Sequence, residues 1–316
     1  MEAYEPKSLQ EAIRYFSDFE NCKAYVVARR WPNGITCPTC GSKDVKWLPN
    51  QRRWYCVNKH PKRQFSLKTG TIFEESPIGL DKWLPTMWLL ANCKNGISSY
   101  EVATDIKVSQ RTAWFMLHRI RYAMREGAFE KMCGEVEADE TFIGGLARFM
   151  HKNRRDKAIK GTGGAGKVAV MGLLERHGKD KVSRVRATVV PNIKRRSLHE
   201  EIREHVETGS TVYSDALKSY EGLDPDYEHK VIDHAEAYVK GHVHTNGIEN
   251  FWSLLKRGLK GTYVSVEPFH LFRYIDEQAF RFNARKEAPE ARFSHAVLGV
   301  TGRRLTYKQL TGEAGS

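Results

Sequence analysis

The chain has 316 residues, a formal net charge of +13 and a sequence pI of about 9.4. Its mean hydropathy is −0.56, and no apolar run approaches the roughly 20 residues of a membrane-spanning helix, which argues against a membrane protein. The N-terminus lacks the basic flank and apolar core of a secretory signal, so we expect a cytoplasmic protein. A chain of this length is expected to form about two or three domains. The positive charge indicates a polyanionic partner, most often nucleic acid, although a generically basic protein would also fit.

Residues 1–30 form the first predicted segment, which is helical. Between Ser8 and Arg30 the apolar side chains recur every three or four positions, which predicts one amphipathic helix or two short ones. Such helices usually serve packing, so we assign this segment no chemistry.

The second predicted segment, residues 31–76, contains a cysteine pattern typical of a zinc ribbon. Cys37 and Cys40 are two residues apart, and Cys56 and His60 follow in the spacing C-x2-C-x15-C-x3-H. Two such knuckles complete a tetrahedral site, and four protein ligands leave no position for substrate, so the predicted Zn²⁺ is structural. His60 could instead be a surface histidine, and the thiols could be free. The other three cysteines are scattered, which does not suggest a disulfide framework.

Residues 77–130 are predicted to form a helix-turn-helix DNA-binding domain. A helical run over residues 81–91 precedes Ser98-x-x-Glu101, a capping box that predicts a helix from Ser99 to Ile106. Ser109 is a fresh N-cap for a longer helix that reaches Met124. The second helix would enter the major groove, with Gln110, Arg111 and Arg119 as candidate DNA contacts. The alternative is a purely structural helical hairpin.

Residues 131–286 contain the element order of a ribonuclease-H-like α/β sheet. The predicted strands are Gly134–Ile143, Lys167–Glu175, Ser183–Val190, Thr211–Asp215 and His229–Ile232. The predicted helices are Arg196–Val206, between the third and fourth strands, and Thr245–Leu259, after the fifth. In that fold, carboxylates on the first and fourth strands meet a third carboxylate on a later helix.

Three carboxylates, Asp139, Asp215 and Glu249, occupy these positions. Breaking or joining a phosphodiester develops charge that two metal ions about 4 Å apart can stabilise. Magnesium prefers carboxylate and water oxygens, so the three residues are candidate catalytic ligands for Mg²⁺. Lys256 follows Glu249 by two helical turns on the same face and, with Arg257, could hold DNA phosphate. Any one carboxylate alone is more often a solvated surface residue.

Neighbouring residues offer competing interpretations of the site. With period two, Glu137 shares a strand face with Asp139 and is a lesser candidate ligand, whereas Glu140 should face away. Asn246 could contact metal or DNA, but a role at the helix cap with Thr245 is slightly favoured. The glycine-rich stretch 161–167 resembles a phosphate-binding loop, but it lacks the following Ser or Thr and precedes a strand. A basic loop that touches the DNA backbone fits better, and a solvated linker is the alternative.

Several stretches of this sequence resemble one family, the insertion-sequence DDE transposases with an N-terminal zinc ribbon and an ISXO2-like catalytic domain. The stretches are Arg63–Phe73, Val108–Trp114, Glu137–Gly145, Val212–Asp215 and His244–Arg257, within a resemblance that covers about residues 30 to 285. The resemblance implies a ribonuclease-H-like catalytic domain with Asp139, Asp215 and Glu249 as its triad. It also implies Mg²⁺ or Mn²⁺, terminal inverted repeats of double-stranded DNA as substrate, and a homo-oligomer, at least a dimer, on paired ends in a bacterial nucleoid.

Two other functions were weighed against a DNA-cutting and DNA-joining transposase. One is a non-catalytic zinc and helix-turn-helix DNA-binding protein derived from a transposase, and the other is a nuclease of a different pathway. The intact acidic set favours catalysis over the first, and two DNA-binding modules ahead of the catalytic range argue against the second. Residues 287–316 show a fading pattern and are predicted to be a C-terminal tail.

Overall fold

The computed structural model describes residues 4–125, 130–144, 167–176, 182–232 and 244–312. The chain divides into two compact units, one formed by Met1–Arg125 with Glu287–Ser316 and the other by Glu126–Lys286. The second unit corresponds closely to the predicted catalytic range, 131–286. The predicted basic loop and most of its glycine-rich stretch lie outside the described residues. Within the described ranges, the structure contains no helix with the length and apolarity needed to span a membrane.

The first unit begins with two short helices, α1 (Leu9–Phe16) and α2 (Phe19–Arg30). Each begins at a side-chain cap, because Ser8 accepts a hydrogen bond from the Glu11 amide and Asp18 accepts one from the Glu20 amide. The second of the two alternatives read from the sequence, a pair of short helices, is therefore confirmed.

A small antiparallel sheet follows, with the order β1 (Val45–Leu48), β2 (Arg53–Cys56) and β3 (Gln64–Phe65). The pairing places Trp47 opposite Trp54 and Trp54 opposite Phe65, so aromatic side chains share one face of the sheet. Their ring centroids are 4.5 and 5.8 Å apart, and Trp31 adds a fourth ring 5.6 Å from Trp54. This aromatic core is the apolar support of the ribbon.

Three helices complete this part of the chain: α3 (Leu80–Asn92), α4 (Ser99–Asp105) and α5 (Gln110–Met124). The predicted capping box is confirmed, because Ser98 and Glu101 each accept the backbone N–H of the other. Ser109 accepts the Thr112 amide and caps α5, also as predicted. The chain thus contains two consecutive helices joined by a short turn.

The second unit is built on a five-stranded sheet with the strand order β6-β5-β4-β7-β8. The strands are β4 (Glu135–Ile143), β5 (Val168–Glu175), β6 (Arg184–Val190), β7 (Thr211–Asp215) and β8 (Glu228–Ile232). Strands β4, β5 and β6 pair antiparallel, whereas β7 and β8 run parallel to β4. The helices of this unit are α6 (Arg195–His205), α7 (Asn246–Gly258) and α8 (Leu271–Asn283). Every strand and helix predicted between Gly134 and Leu259 is confirmed to within two residues.

The two faces of the sheet carry separate hydrophobic cores. On one face, Val136, Ala138 and Met171 pack with Leu198 and Ile202 of α6. On the other face, Val170 and Leu174 pack with side chains of helices α7 and α8, namely Ile248, Phe251, Trp252, Leu255 and Ile275. Alternation along β4 therefore decides which helix each of its side chains meets.

The predicted C-terminal tail is instead folded into the first unit. It forms α9 (Pro289–Leu298) and α10 (Tyr307–Thr311). Phe293 is fully buried and stacks on Tyr25 with ring centroids 5.3 Å apart. These helices supply core side chains to a unit whose other part lies more than 160 residues earlier, so the local sequence pattern does not show their packing partners.

Arg119, predicted as a DNA contact, lies inside this unit. Only 4% of it is exposed, and its guanidinium donates hydrogen bonds to the backbone oxygens of Leu305, Ile72 and Glu74 at 2.8–3.0 Å. A buried guanidinium with three carbonyl acceptors joins chain segments and does not present itself to a phosphate or a base edge. We therefore correct this assignment, which rested on a basic residue within a predicted recognition helix.

Replacing Arg119 should destabilise the protein without removing a DNA contact. In Arg119→Ala three buried carbonyl oxygens lose their donors, so we expect the free energy of unfolding to fall by about 3 kcal/mol. Urea denaturation measures this change. Arg125→Ala, at the exposed end of the same helix, should change stability by less than about 0.5 kcal/mol. Equal stability of the two variants would contradict the structural role.

Candidate active site and zinc site

The four predicted zinc ligands come together in the ribbon. The ligand atoms of Cys37, Cys40, Cys56 and His60 all lie within 4.8 Å of one another. The Cys40 and Cys56 sulfurs are 3.6 Å apart, and the Cys37 sulfur is 3.5 Å from His60 Nε2. A tetrahedron with Zn–S bonds of about 2.3 Å has edges of nearly this length. The donor set and its geometry therefore fit a structural zinc ion.

Hydrogen bonds with the neighbouring backbone orient one of these ligands, His60, and lower the pKa of another, Cys37. His60 Nδ1 lies 2.6 Å from the Pro61 carbonyl oxygen, and a proton on Nδ1 donated there leaves Nε2 to face the sulfurs. Burial raises the pKa of the Cys37 thiol, but hydrogen bonds from the backbone of Cys40 and Thr39 outweigh it and lower the pKa to about 7. The thiolate that binds zinc is therefore accessible near neutral pH.

Asp139 and Asp215 lie on β4 and β7, which are neighbouring strands of the sheet in the second unit. The parallel ladder between these strands ends with the pair Glu137 and Tyr213. Asp139 and Asp215 each follow two residues later, on the same face of their strands as that pair. Asp215 ends β7, where its Oδ1 accepts the Leu217 amide at 3.1 Å.

Trp252 on α7 holds the Asp139 carboxylate. The indole Nε1–H donates to Asp139 Oδ2 at 2.9 Å. The strand partner of Asp139 is Gly172, and a Cβ at that glycine would lie only 2.6 Å from the Trp252 ring. Glycine at position 172 therefore makes room for the indole to lie against the sheet beside Asp139.

Glu249 approaches the same face from the first turn of α7. It is exposed, and its Oε1 accepts the hydroxyl of the buried N-cap residue Thr245 at 3.1 Å. Asn246 opens the helix and is also exposed, whereas Thr245 is the N-cap. The structure thus brings all three predicted acids to one face of the unit.

The charges of Asp215 and Glu249 affect the pKa of Asp139. Burial, with a smaller contribution from the charges of Asp215 and Glu249, raises the pKa of Asp139 to about 6, against hydrogen bonds from the Glu140 backbone and Trp252 that lower it. A carboxylate disfavoured in this way gains most from a nearby cation. The three sets of oxygens do not all lie within 4.8 Å of one another, unlike the zinc ligands. The donor set is all-oxygen, which is the type of ligand that Mg²⁺ prefers.

Glu137 and Glu140 differ as strand alternation predicts. Glu140 turns to the opposite face, where its Oε2 accepts the Tyr220 hydroxyl at 2.7 Å, and burial raises its pKa to about 7. Glu137 lies on the Asp139 face, but its oxygens are engaged by Arg176 at 2.6 Å and by the Ile248 amide at 2.8 Å. Glu137 is therefore not proposed as a metal ligand.

The remaining predicted DNA contacts differ in exposure. Lys256 is half-buried and Arg257 is exposed, both on the last turns of α7. Arg111 is exposed and stacks on Tyr307, to which it also donates a hydrogen bond of 2.7 Å. Gln110 donates to the Ser99 hydroxyl at 2.9 Å, so part of its amide is committed within the first unit.

Sequence patterns alone missed the residues that support the site. None of Trp252, Gly172 and Arg176 is singled out by the sequence patterns. A glycine inside an otherwise apolar strand was a usable signal, because it often marks a close approach. No local pattern pairs Gly172 with a tryptophan 80 positions later.

Comparison with known proteins identifies a domain in each unit. Residues 131–283 match the ISXO2-like transposase domain, and residues 17–58 match the transposase zinc-ribbon domain. The chain belongs to the ISXO2-like insertion-sequence transposases that carry a zinc ribbon. Membership of this family supports a general role as a transposase.

Two relatives of this transposase illustrate the range of similarity. A Halobacterium salinarum protein named as an uncharacterized protein in transposable element ISH50 is 29% identical over 243 residues. That match covers 73% of this chain and 79% of the relative. An uncharacterized transposase-like protein of Haemophilus influenzae is 37% identical over 101 residues, which cover 32% of this chain and 81% of the relative.

Zinc content tests the ribbon site. We expect one zinc per chain by elemental analysis, lost in Cys56→Ser and retained in His60→Cys, because thiolate can replace imidazole in a tetrahedral site. Cys93→Ser lies outside the cluster and should keep its zinc. Full zinc content in Cys56→Ser would contradict the assignment.

Gly172→Ala tests the close approach beside Asp139. The added Cβ must displace Trp252, so we expect a loss of about 1–3 kcal/mol in unfolding free energy and a changed tryptophan emission. Gly261→Ala is the matched control, since nothing lies within 4 Å of a Cβ there. Similar stability of both variants would show that Trp252 does not lie as described.

The pH dependence of stability tests the environment of Asp139. Its folded pKa of about 6 exceeds the value of about 3.9 for an unfolded aspartate, so its contribution to stability falls as pH rises between these values. Without added divalent metal, Asp139→Asn should therefore exceed wild type in unfolding free energy by about 1–3 kcal/mol at pH 8. The difference should shrink toward pH 4, and a pH-independent difference would refute this assignment.

Proposed function

We propose that this chain is a DNA transposase that cleaves the ends of its own element and joins the 3′-hydroxyls to target DNA. The observation that carries this proposal is the convergence of Asp139, Asp215 and Glu249 on one face of the sheet, with the pKa of Asp139 raised to about 6. The raised pKa of Asp139 means that its ionised form is disfavoured there without a cation. The family assignment supports the same chemistry.

The proposed fold of the second unit is ribonuclease-H-like. Its strand order, β6-β5-β4-β7-β8 with the first three strands antiparallel and the last two parallel to β4, supports this proposal. The proposed acids then occupy the first strand, the fourth strand and a later helix. In the same way, α4 and α5 are proposed to form a helix-turn-helix.

Asp139, Asp215 and Glu249 would hold Mg²⁺ or Mn²⁺. The bound metal supplies positive charge that stabilises the entering and leaving oxygens of a phosphoryl transfer. The protein's own residues fix the acids: Trp252 donates to Asp139, the Leu217 amide donates to Asp215 and the Thr245 hydroxyl donates to Glu249. Each acid is thereby oriented by a partner from a defined element.

The proposed substrate is double-stranded DNA, first the terminal inverted repeats and then the target. Lys256 and Arg257, on the helix that carries Glu249, are proposed phosphate contacts near the acids. Arg111 is a further proposed contact in the first unit, and Gln110 stays a prediction. Because two ends must be joined, we propose that the active species is at least a dimer.

Strand transfer tests the proposed reaction. Duplexes that carry the element's terminal repeats are incubated with the full chain, a target plasmid and Mg²⁺ or Mn²⁺. Asp215→Ala should bind the repeats with wild-type affinity, since its side chain serves the reaction and not DNA binding, and should reduce joined product to background. Asp226→Ala, whose carboxylate forms an exposed ion pair with Arg203, should remain active. Wild-type joining by Asp215→Ala would exclude this mechanism. Specific binding without joining by the wild type would favour the non-catalytic alternative.

A further inference from the structure

Glu137 is a buried charge that the proposed reaction does not use. It is 1% exposed, and its Oε1 lies 2.6 Å from Nε of Arg176. A carboxylate removed from water is costly unless it is paired and fully hydrogen-bonded. An apolar residue at this position of β4 would avoid that cost, which indicates a specific role for the carboxylate.

One purpose is to cap helix α7 from outside the helix. The N-cap residue of α7, Thr245, makes no side-chain hydrogen bond to the helix amides. The Ile248 amide, which an N-cap side chain commonly satisfies, instead donates to Glu137 Oε2 at 2.8 Å. A negative charge near the N-terminus of a helix also interacts favourably with the helix dipole.

The contact between strand and helix is close because position 247 is glycine. A Cβ at Gly247 would lie 2.9 Å from Glu137 Oε2 and 3.1 Å from Oε1. A side chain there would have to displace either this carboxylate or the first turn of α7. The glycine therefore allows β4 and α7 to meet through this carboxylate.

Arg176 extends this contact to the residue before the cap. Its Nη2 donates to His244 Nδ1 at 2.9 Å and also to the His244 carbonyl oxygen. The next residue, Thr245, holds Glu249 through its hydroxyl. A continuous set of contacts thus runs from Glu137 to Glu249, two residues from Asp139 at one end.

We propose that Glu137 is a positioning residue for the metal site, which it serves by fixing the first turn of α7 so that Glu249 faces Asp139 and Asp215. This inference rests on the proposed function, because it assumes that these acids bind a divalent metal. Glu137 acts through the helix and not as a ligand, since both its oxygens are engaged by Arg176 and the Ile248 amide.

Mn²⁺ binding to the full chain tests the proposal without relying on activity. Binding is followed by electron paramagnetic resonance, with zinc retained in the ribbon. Loss of a residue that orients a metal ligand commonly costs 10–100-fold in affinity, so Glu137→Ala should weaken Mn²⁺ binding by about 10-fold or more. Glu137→Gln should fall between Glu137→Ala and wild type, because its amide oxygen can still accept the Ile248 N–H.

Glu135→Gln is the matched control on the same strand. Glu135 is exposed and accepts the Tyr213 hydroxyl at 2.6 Å, so this variant should bind Mn²⁺ as wild type does. Wild-type Mn²⁺ affinity in a folded Glu137→Ala protein would overturn the proposal. If Glu137→Ala does not fold, Glu137→Gln and Arg176→Lys are measured instead, and wild-type affinity in both would overturn it equally.

Hydrogen exchange of residues 245–250 separates this inference from the proposed function. In metal-free protein, Glu137→Gln should exchange faster than Glu135→Gln in this segment alone, because the external cap is weakened. If the wild type binds no Mn²⁺, the metal site of the proposed function fails. Faster exchange in 245–250 would then still support the helix contact, and unchanged exchange would reject it.

Discussion

The first turn of helix α7 is fixed to strand β4 by the buried carboxylate of Glu137. The rest of the proposed active site depends on this contact, because β4 supplies Asp139 and α7 supplies Glu249. Two glycines permit the fit: Gly247 lets the helix end reach the carboxylate, and Gly172 lets Trp252 lie beside Asp139. Small residues and one buried charge thus determine where the proposed metal ligands lie.

Glu137 and Asp139, two residues apart on β4, illustrate opposite solutions for a carboxylate that is buried or half-buried. Glu137 is neutralised within the protein, by Arg176 and a helix N-terminus. Burial and the two carboxylate neighbours of Asp139 outweigh its neutral hydrogen bonds from Trp252 and the Glu140 backbone and raise its pKa to about 6. The protein's own groups compensate the charge of Glu137, whereas the charge of Asp139 would be stabilised by a bound cation. This contrast is the physical basis for proposing a metal site at Asp139.

Much of this arrangement followed from the sequence because its signals are local. Alternation on β4 separated Glu140 from Asp139, and helical spacing defined α7 around Glu249. Contacts across the chain were not accessible in this way. Arg119 was misassigned because its carbonyl partners come from distant segments, and the helices after Glu287 were missed because their core partners lie near the N-terminus. The external cap by Glu137 was hidden by Thr245, which resembles a self-sufficient N-cap.

Iron-directed cleavage tests most directly whether the three acids form one metal site. Fe²⁺ takes the place of the proposed Mg²⁺. In the presence of ascorbate and peroxide, the bound Fe²⁺ cuts the backbone near its binding site. The account predicts cuts close to Asp139, Asp215 and Glu249 in the same protein, all suppressed in Asp215→Asn and all competed by Mg²⁺. Cuts at one of these positions alone, or cuts unchanged in Asp215→Asn, would contradict a shared site.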